Sequence, residues 1–368
     1  MSVKNYEILL IGNSKAITGA LKSIIAVSEH ISSQIHYQFV LPSKSIVGQL
    51  KDQGYSAHCI PFLEIQKNWR LLLYLPLLVI NTIRVIRLIN KKQIDILHVN
   101  DLYNMVGVMV KLIRPKTKLV YHVRLMPDSY AGFLYPLWSK IISKHSDKII
   151  CVSDAVFRGL PHAKNKIVIY DALPASESLS IKKWKPFTFL NVSNYVKGKG
   201  QNYVIEAYKL AYDKLMDSRL VMVGGDMGQR KNKIYKNQLI ERVISYGLEH
   251  NVVFQDFTND TRNLYQAAEV VLNFSESESF SMVCLESLLN GTPVIGTRCG
   301  GPEEIIEDGI NGILVENRNI DDMAHAMVTI YQNEELRNSM SQKTKHTAGK
   351  FSIENSTKKL THIYLELC

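Results

Sequence analysis

Along this chain, short unbroken apolar runs alternate with longer segments whose apolar residues recur at helical spacing. Ile8-Leu9-Leu10-Ile11-Gly12, Ile94-Asp95-Ile96-Leu97-His98-Val99, Lys118-Leu119-Val120-Tyr121-His122-Val123 and Ile149-Ile150-Cys151-Val152 are runs of the first kind in the N-terminal half. Thr188-Phe189-Leu190-Asn191-Val192, Leu220-Val221-Met222-Val223 and Val270-Val271-Leu272-Asn273-Phe274 are their counterparts in the C-terminal half. A strand without apolar/polar alternation is covered on both faces, as in a parallel sheet flanked by helices. The turn Thr18-Gly19-Ala20 opens a helix that ends near Glu29, and Val204, Ile205, Ala207 and Tyr208 share one helical face. Leu285, Leu288 and Leu289 do the same before the stop signal Asn290-Gly291. This alternation predicts an α/β fold with parallel sheets and crossover helices in both halves.

A chain of 368 residues is long enough for two domains that each bury a core. The stretch between Pro174 and Pro186 is polar, holds Ser176, Glu177, Ser178, Ser180, Lys182 and Lys183, and reads as an exposed linker. We therefore expect one domain over residues 1–178 and a second over residues 186–352. Ligands of open parallel sheets bind beyond the carboxyl ends of the strands.

The segment Glu278-Ser279-Phe280-Ser281-Met282-Val283-Cys284-Leu285-Glu286 places two carboxylates eight positions apart across a strand-to-helix junction. Glu278 falls in the loop and Glu286 inside the helix. The first amides of that helix, around Phe280, Ser281 and Met282, lack intrahelical acceptors and lie at the positive end of the dipole, which suits a diphosphate. A carboxylate accepts from two hydroxyls at once, so Glu278 suits a sugar and Glu286 a ribose. By themselves, two glutamates at this spacing read as solvated side chains. The residues around them change that reading.

Downstream come Gly291-Thr292-Pro293-Val294-Ile295-Gly296, Gly300-Gly301-Pro302-Glu303-Glu304 and Asn311-Gly312-Ile313-Leu314-Val315. Together with Glu278 and Glu286 they resemble the family-4 glycosyltransferases, in which E-x-F-G and a second Glu eight positions on lead into G-T-P-V and G-G-x-x-E. Ser281 stands where that family has a glycine, and a serine still offers its backbone N–H. Upstream, Ser193-Asn194-Tyr195-Val196-Lys197-Gly198-Lys199-Gly200 is a glycine-bearing loop between strand and helix. A lysine there pairs with phosphate as a point charge. Lys199-Gly200 fits the family's Lys-Gly, whereas Asn194 occupies the place of its Arg, leaving half of the phosphate clamp to Lys197 or to nothing.

The resemblance implies two Rossmann-like domains with parallel sheets facing across a cleft (GT-B), and a final helix, about Ile353 to Leu367, crossing back onto the first domain. It implies that the turn containing Gly19 approaches the donor phosphates, that Lys118–Arg124 ends in a histidine, His122, on the acceptor side, and that Arg124 lies near the same cleft. Asp171-Ala172 stands where Asn-Gly is usual. The implied activity is transfer of a sugar from a nucleotide-diphosphate donor to an acceptor hydroxyl with retention and without a bound metal or cofactor. Glu278, His122 and Lys199 would serve the reaction, and Glu286, Phe280, Ser281, Met282, Gly19, Asn194 and Arg124 the donor. Two other readings share the fold: a nucleotide-sugar epimerase, which needs an acid/base pair and no acceptor, and a non-catalytic nucleotide-sugar-binding protein. A hydride-transferring enzyme fits poorly, since no G-x-G-x-x-G opens the first helix.

The net charge of +10 raises nucleic acid and acidic membrane as partners. No nucleic-acid motif accompanies it. Lys67, Arg70, Arg84, Arg87, Lys91 and Lys92 bracket the apolar run Leu71–Ile80, whose ten residues fall short of the ~20 needed to span a bilayer. That segment reads either as a buried first-domain helix with solvated ends or as a helix lying among acidic headgroups, the latter fitting a glycan or lipid-linked acceptor. Five scattered cysteines without C-x-x-C predict neither disulfides nor a metal site, and Tyr6-Glu7 interrupts any leader, so a cytoplasmic protein is expected.

Overall fold

The computed structural model describes residues 4–14, 18–62, 73–130, 132, 134–174 and 183–368, without the side chains of 345, 347 and 348. Lys67, Arg70, the start of the run at Leu71 and Ser176 to Lys182 of the linker lie outside the described residues. The chain divides into two compact units, Met1–Pro174 with Phe351–Cys368, and Ala175–Lys350.

The first unit begins β1 (Tyr6–Gly12), α1 (Gly19–His30), β2 (Ile35–Leu41), α2 (Lys44–Asp52), β3 (Ser56–Cys59) and α3 (Tyr74–Lys92). It continues β4 (Ile96–Asn100), α4 (Val106–Ile113), β5 (Lys118–Val123), α5 (Leu134–His145), β6 (Lys148–Cys151), α6 (Asp154–Gly159) and β7 (Lys166–Val168). All strand pairs are parallel, in the order β3-β2-β1-β4-β5-β6-β7. Ile8, Leu9, Leu10 and Ile11 are all fully buried, which explains the unbroken apolar run: helices cover both faces of β1.

The second unit runs β8 (Phe187–Val192), α7 (Gln201–Ala211), β9 (Ser218–Val223), α8 (Arg230–Ser245), β10 (Val252–Gln255), α9 (Arg262–Ala267) and β11 (Val270–Asn273). After these come α10 (Met282–Leu289), β12 (Val294–Thr297), α11 (Pro302–Ile305), β13 (Gly312–Val315), α12 (Ile320–Gln332) and α13 (Glu334–Ala348). Its sheet is also parallel, ordered β10-β9-β8-β11-β12-β13. The strand order reverses between β8 and β11, and the loops leaving these two strands therefore diverge around a crevice, the usual ligand position in such sheets.

The last helix, α14 (Ile353–Leu367), returns to the first unit and packs on α1. Ser352 caps it by accepting from the Asn355 amide at 3.2 Å. Its apolar stripe, Ile353, Leu360, Ile363 and Tyr364, joins the core built from β1, β2, α1 and α2.

Candidate functional site

The crevice between β8 and β11 gathers Lys199 from the β8–α7 loop and Glu278 from the β11–α10 loop, although 79 residues separate them. Two glycines make this possible. Gly200 caps α7 at a φ of +74°, and a Cβ there would lie 1.8 Å from the Phe274 carbonyl oxygen, so only glycine lets the two loops meet. A Cβ on Gly301 would lie 2.2 Å from the Phe280 Cα, pressing the Gly300-Gly301 turn against the start of α10. Backbone bonds lock the arrangement: Glu278 N–H to Cys299 carbonyl at 3.1 Å, Gly301 N–H to Glu278 carbonyl at 2.8 Å, Glu276 N–H to Gly198 carbonyl at 2.8 Å.

The Lys199 ammonium donates to Glu278 Oε1 at 2.7 Å, and Ser275 Oγ donates to the same oxygen at 2.9 Å. Burial works to lower the pKa of Lys199, but the adjacent Glu278 carboxylate outweighs it and holds the ammonium above its ordinary value. The lysine is thus a fixed cation with two further N–H donors at the mouth of the crevice. Glu278 keeps acceptor capacity on Oε2.

Ser281 is the N-cap of α10, with φ 78° and ψ 83°. This left-handed conformation explains the glycine of the family pattern. The serine tolerates it because its hydroxyl is engaged, accepting from Asn273 Nδ2 at 2.6 Å and from the Cys284 amide at 3.4 Å. Phe280 precedes the cap, so the expectation that Phe280 supplies one of the helix's first amides is corrected. Met282 and Val283 are the residues whose N–H groups have no acceptor within the helix, Cys284 being taken by the cap.

Glu286 sits on α10, where Oε2 accepts from Tyr265 Oη at 2.9 Å and Thr261 Oγ1 at 3.4 Å. Burial, and then Glu286 itself, keep the Tyr265 hydroxyl protonated well above the usual phenol range. The sequence reading missed both α9 partners; a Tyr four residues after a Thr is too common a spacing to stand out. Asn194, in place of the family's Arg, uses its amide oxygen to accept from Gly225 N–H at 3.2 Å and so closes the turn after β9. Lys197 is exposed on the same loop.

In the first unit Thr18 caps α1, with Leu21 N–H donating to its hydroxyl at 3.3 Å, and Gly19 is the first helical residue. His122 ends β5, only 4 % exposed, with its ring stacked on His98 at 5.4 Å between centroids. Burial first, then the charge of Arg124 and the neighbouring His98, hold His122 well below the ordinary histidine range, so the ring is neutral. His98 is held down to about 3 by burial and by Arg124. Its Nδ1 lies 2.5 Å from the Tyr364 hydroxyl of α14, which also meets Tyr37 Oη at 2.9 Å. Among the described residues, neither His98 Nε2 nor His122 Nε2 has a hydrogen-bond partner. Arg124, expected near the donor, is 5 % exposed; its Nη1 pairs with Asp171 and its Nε donates to Asn100 Oδ1 at 2.5 Å. Ser23 Oγ donates to Asp171 at 2.8 Å. Arg124 is therefore engaged inside its own unit, and Asp171, where Asn is usual, is the counter-charge that allows its burial.

Two parallel-sheet Rossmann-like units with a returning C-terminal helix make a GT-B fold. Anabaena HepE in complex with UDP shares it, with a TM-score of 0.81 at 19 % identity over 98 % of this chain and 100 % of that one. Sucrose-phosphate synthase from Thermosynechococcus elongatus does so with a TM-score of 0.78 at 16 % identity, covering 99 % of each chain. Residues 50–169 match the family model "Glycosyltransferase Family 4" and residues 177–347 match "Glycosyl transferases group 1". The chain belongs to this glycosyltransferase family. An uncharacterized glycosyltransferase of Methanocaldococcus jannaschii is 30 % identical over 231 residues, 62 % of each protein. D-inositol 3-phosphate glycosyltransferase of Corynebacterium jeikeium is 29 % identical over 171 residues, 46 % of this chain and 41 % of that protein. The matched stretches thus span less than two thirds of either relative.

Proposed function

We propose that the protein moves a sugar from a nucleotide-diphosphate donor to an acceptor hydroxyl with retention of configuration and without a bound metal. The observation that carries this reading is the Lys199–Glu278 ion pair beside the first amides of α10, at the point where the strand order reverses. In this reading Met282 and Val283 N–H and the Lys199 ammonium receive the diphosphate, whose charge grows as the glycosidic C–O bond breaks. Glu278 Oε2 accepts from sugar hydroxyls, and Glu286, held by Tyr265 and Thr261, accepts from the ribose. The new bond forms from the acceptor oxygen to the same face of the anomeric carbon, and the acceptor's proton passes to the leaving phosphate. No protein nucleophile is assigned.

HepE has been crystallised with UDP-glucose, which makes a uridine donor the first to test. A glycan or lipid-linked acceptor in cell-surface polysaccharide or glycolipid assembly on the cytoplasmic side fits the basic character of the chain. The experiment is calorimetric titration with UDP, GDP and ADP in chelator, for wild type and Lys199→Ala, followed by NMR of the anomeric centre of any transferred sugar. Losing one charge-assisted contact should weaken the diphosphate by about tenfold to a hundredfold. Absence of binding to every diphosphate would sink the donor site, dependence on added metal the metal-free part, and an inverted product the stereochemistry.

A further inference from the structure

The layer of helices α3, α4 and α5 contains no aspartate or glutamate. Right-handed crossovers place these three on one face of the first sheet, α3 packing on α4 and α4 on α5. Helices of the opposite face are of ordinary mixed charge, with Glu29 on α1, Asp52 on α2 and Glu354 and Glu366 on α14. The asymmetry therefore belongs to one face and extends well beyond the apolar run that ends at Ile80.

The same face leaves large apolar side chains in water. Leu75 is 69 % exposed, Val79 51 % and Ile83 44 % on α3, Leu112 54 % and Ile113 58 % on α4, and Leu137 54 % on α5. The expected alternative of a buried α3 with solvated ends is corrected: Val85 and Ile89 line its inner side, but the N-terminal half of its outer side is apolar. Arg84, Arg87 and Lys91 continue that outer stripe toward the C-terminus, and Lys140 and Lys144 are exposed on α5. None of the described helices is long and apolar enough to cross a membrane.

We propose that the outer face of the α3–α4–α5 layer docks on a bilayer surface that carries anionic headgroups. Charge complementarity selects an anionic partner, since α3 and α5 offer exposed cations, the three helices carry no carboxylate, and the one cation of α4, Lys111, is already paired with Asp147. Interspersed leucine, isoleucine and valine select a bilayer over a soluble polyanion, because a polyanion has no place for them while the headgroup–acyl boundary does. On α3 the division of the stripe sets the orientation: apolar side chains enter at the N-terminal half and the arginines meet phosphates at the C-terminal half. The inference is independent of the donor-site reading.

The test uses the purified full-length protein in sedimentation with vesicles of phosphatidylcholine alone and vesicles that also contain phosphatidylglycerol. The protein should pellet with the second and stay in solution with the first. Each cation near an acidic surface is worth about fivefold, so Arg87→Ala/Lys91→Ala should weaken binding about 25-fold. Leu75→Gln/Val79→Gln should weaken it about tenfold and make the remainder more salt-sensitive. Circular dichroism and thermal melting confirm that the variants are folded. Equal recovery in the supernatant with both vesicles overturns the proposal. So does binding to polyuridylate, without vesicle binding, that Leu75→Gln/Val79→Gln leaves unchanged.

Discussion

The pair of stacked neutral histidines under α14 makes the first unit sensitive to acid in a way that can be calculated. His98 is held down to about 3 by burial and by Arg124, and His122 well below its ordinary value for the same reasons. In the unfolded chain both return to about 6.5. Below that value the unfolded state binds protons that the folded state does not, so stability is full above about pH 6.5 and falls as the pH drops toward the folded values. For His98, integration from pH 8 to pH 5 gives a loss of about 2 kcal/mol, a large part of a typical 5–15 kcal/mol, and His122 adds to it in the same direction. The perturbation is His98→Asn, which keeps a polar atom near the position of Nδ1 for Tyr364 and cannot take the proton. Hydrogen exchange of peptides from β4, β5 and α14, corrected for the intrinsic pH dependence and referenced to β8 and β9, reads the effect. Wild-type protection in the first unit should fall by at least about 30-fold, the share of His98, and the variant should recover that factor. If β4 and β5 lose no more protection than β8 and β9, or if the variant follows the wild-type pH curve, the reasoning fails.

Three further outcomes follow from single residues. Glu286→Gln should weaken diphosphonucleoside binding about tenfold in calorimetry while circular dichroism stays unchanged, because a charged acceptor for the ribose becomes a neutral one; unchanged affinity would remove Glu286 from the site. Asp171→Ala should cost about 3–5 kcal/mol in urea unfolding by leaving the Arg124 guanidinium buried without its counter-charge, and a loss under about 1 kcal/mol would show that water replaces the carboxylate. At Ser281 the usual helix ranking should invert, with Ser281→Ala melting below Ser281→Gly, since alanine keeps the strained φ and loses the cap whereas glycine relieves the strain and caps almost as well; the opposite order of Tm would refute that account.

The second unit was the more legible because its chemistry lies in loops whose geometry demands particular residue types. Gly200 and Gly301 have no tolerable alternative, and Glu278 and Glu286 flank one helix start, so short spacings carried the pattern. Parallel strands were legible for a similar reason: burial on both faces leaves a continuous apolar run. What stayed hidden depends on contacts between segments far apart in the chain. Arg124 and Asp171 are 47 residues apart, and His98 and Tyr364 are 266 apart. Neither pair has a local signature, and each is created by strand order and by the return of α14.

That difference changes how the departures from the family pattern are to be understood. Asn194 and Asp171 both look, in sequence, like losses from a ligand site. In the structure Asn194 closes the Gly225 turn and Asp171 neutralises Arg124, so each is a component of a satisfied local network. A damaged site would instead leave a buried charge or an open loop behind, at a cost of several kcal/mol. The polar groups at the ends of β4 and β5 are held by one another and, through His98, by α14, and among the described residues the Nε2 atoms of both neutral rings, His98 and His122, lack a hydrogen-bond partner. The departures are therefore compensated substitutions within the fold. Asp171→Asn, which restores the family's residue, should on this argument lower the stability of the first unit because it removes the counter-charge of Arg124; a stabilised variant would show that the aspartate is the burden and not the compensation.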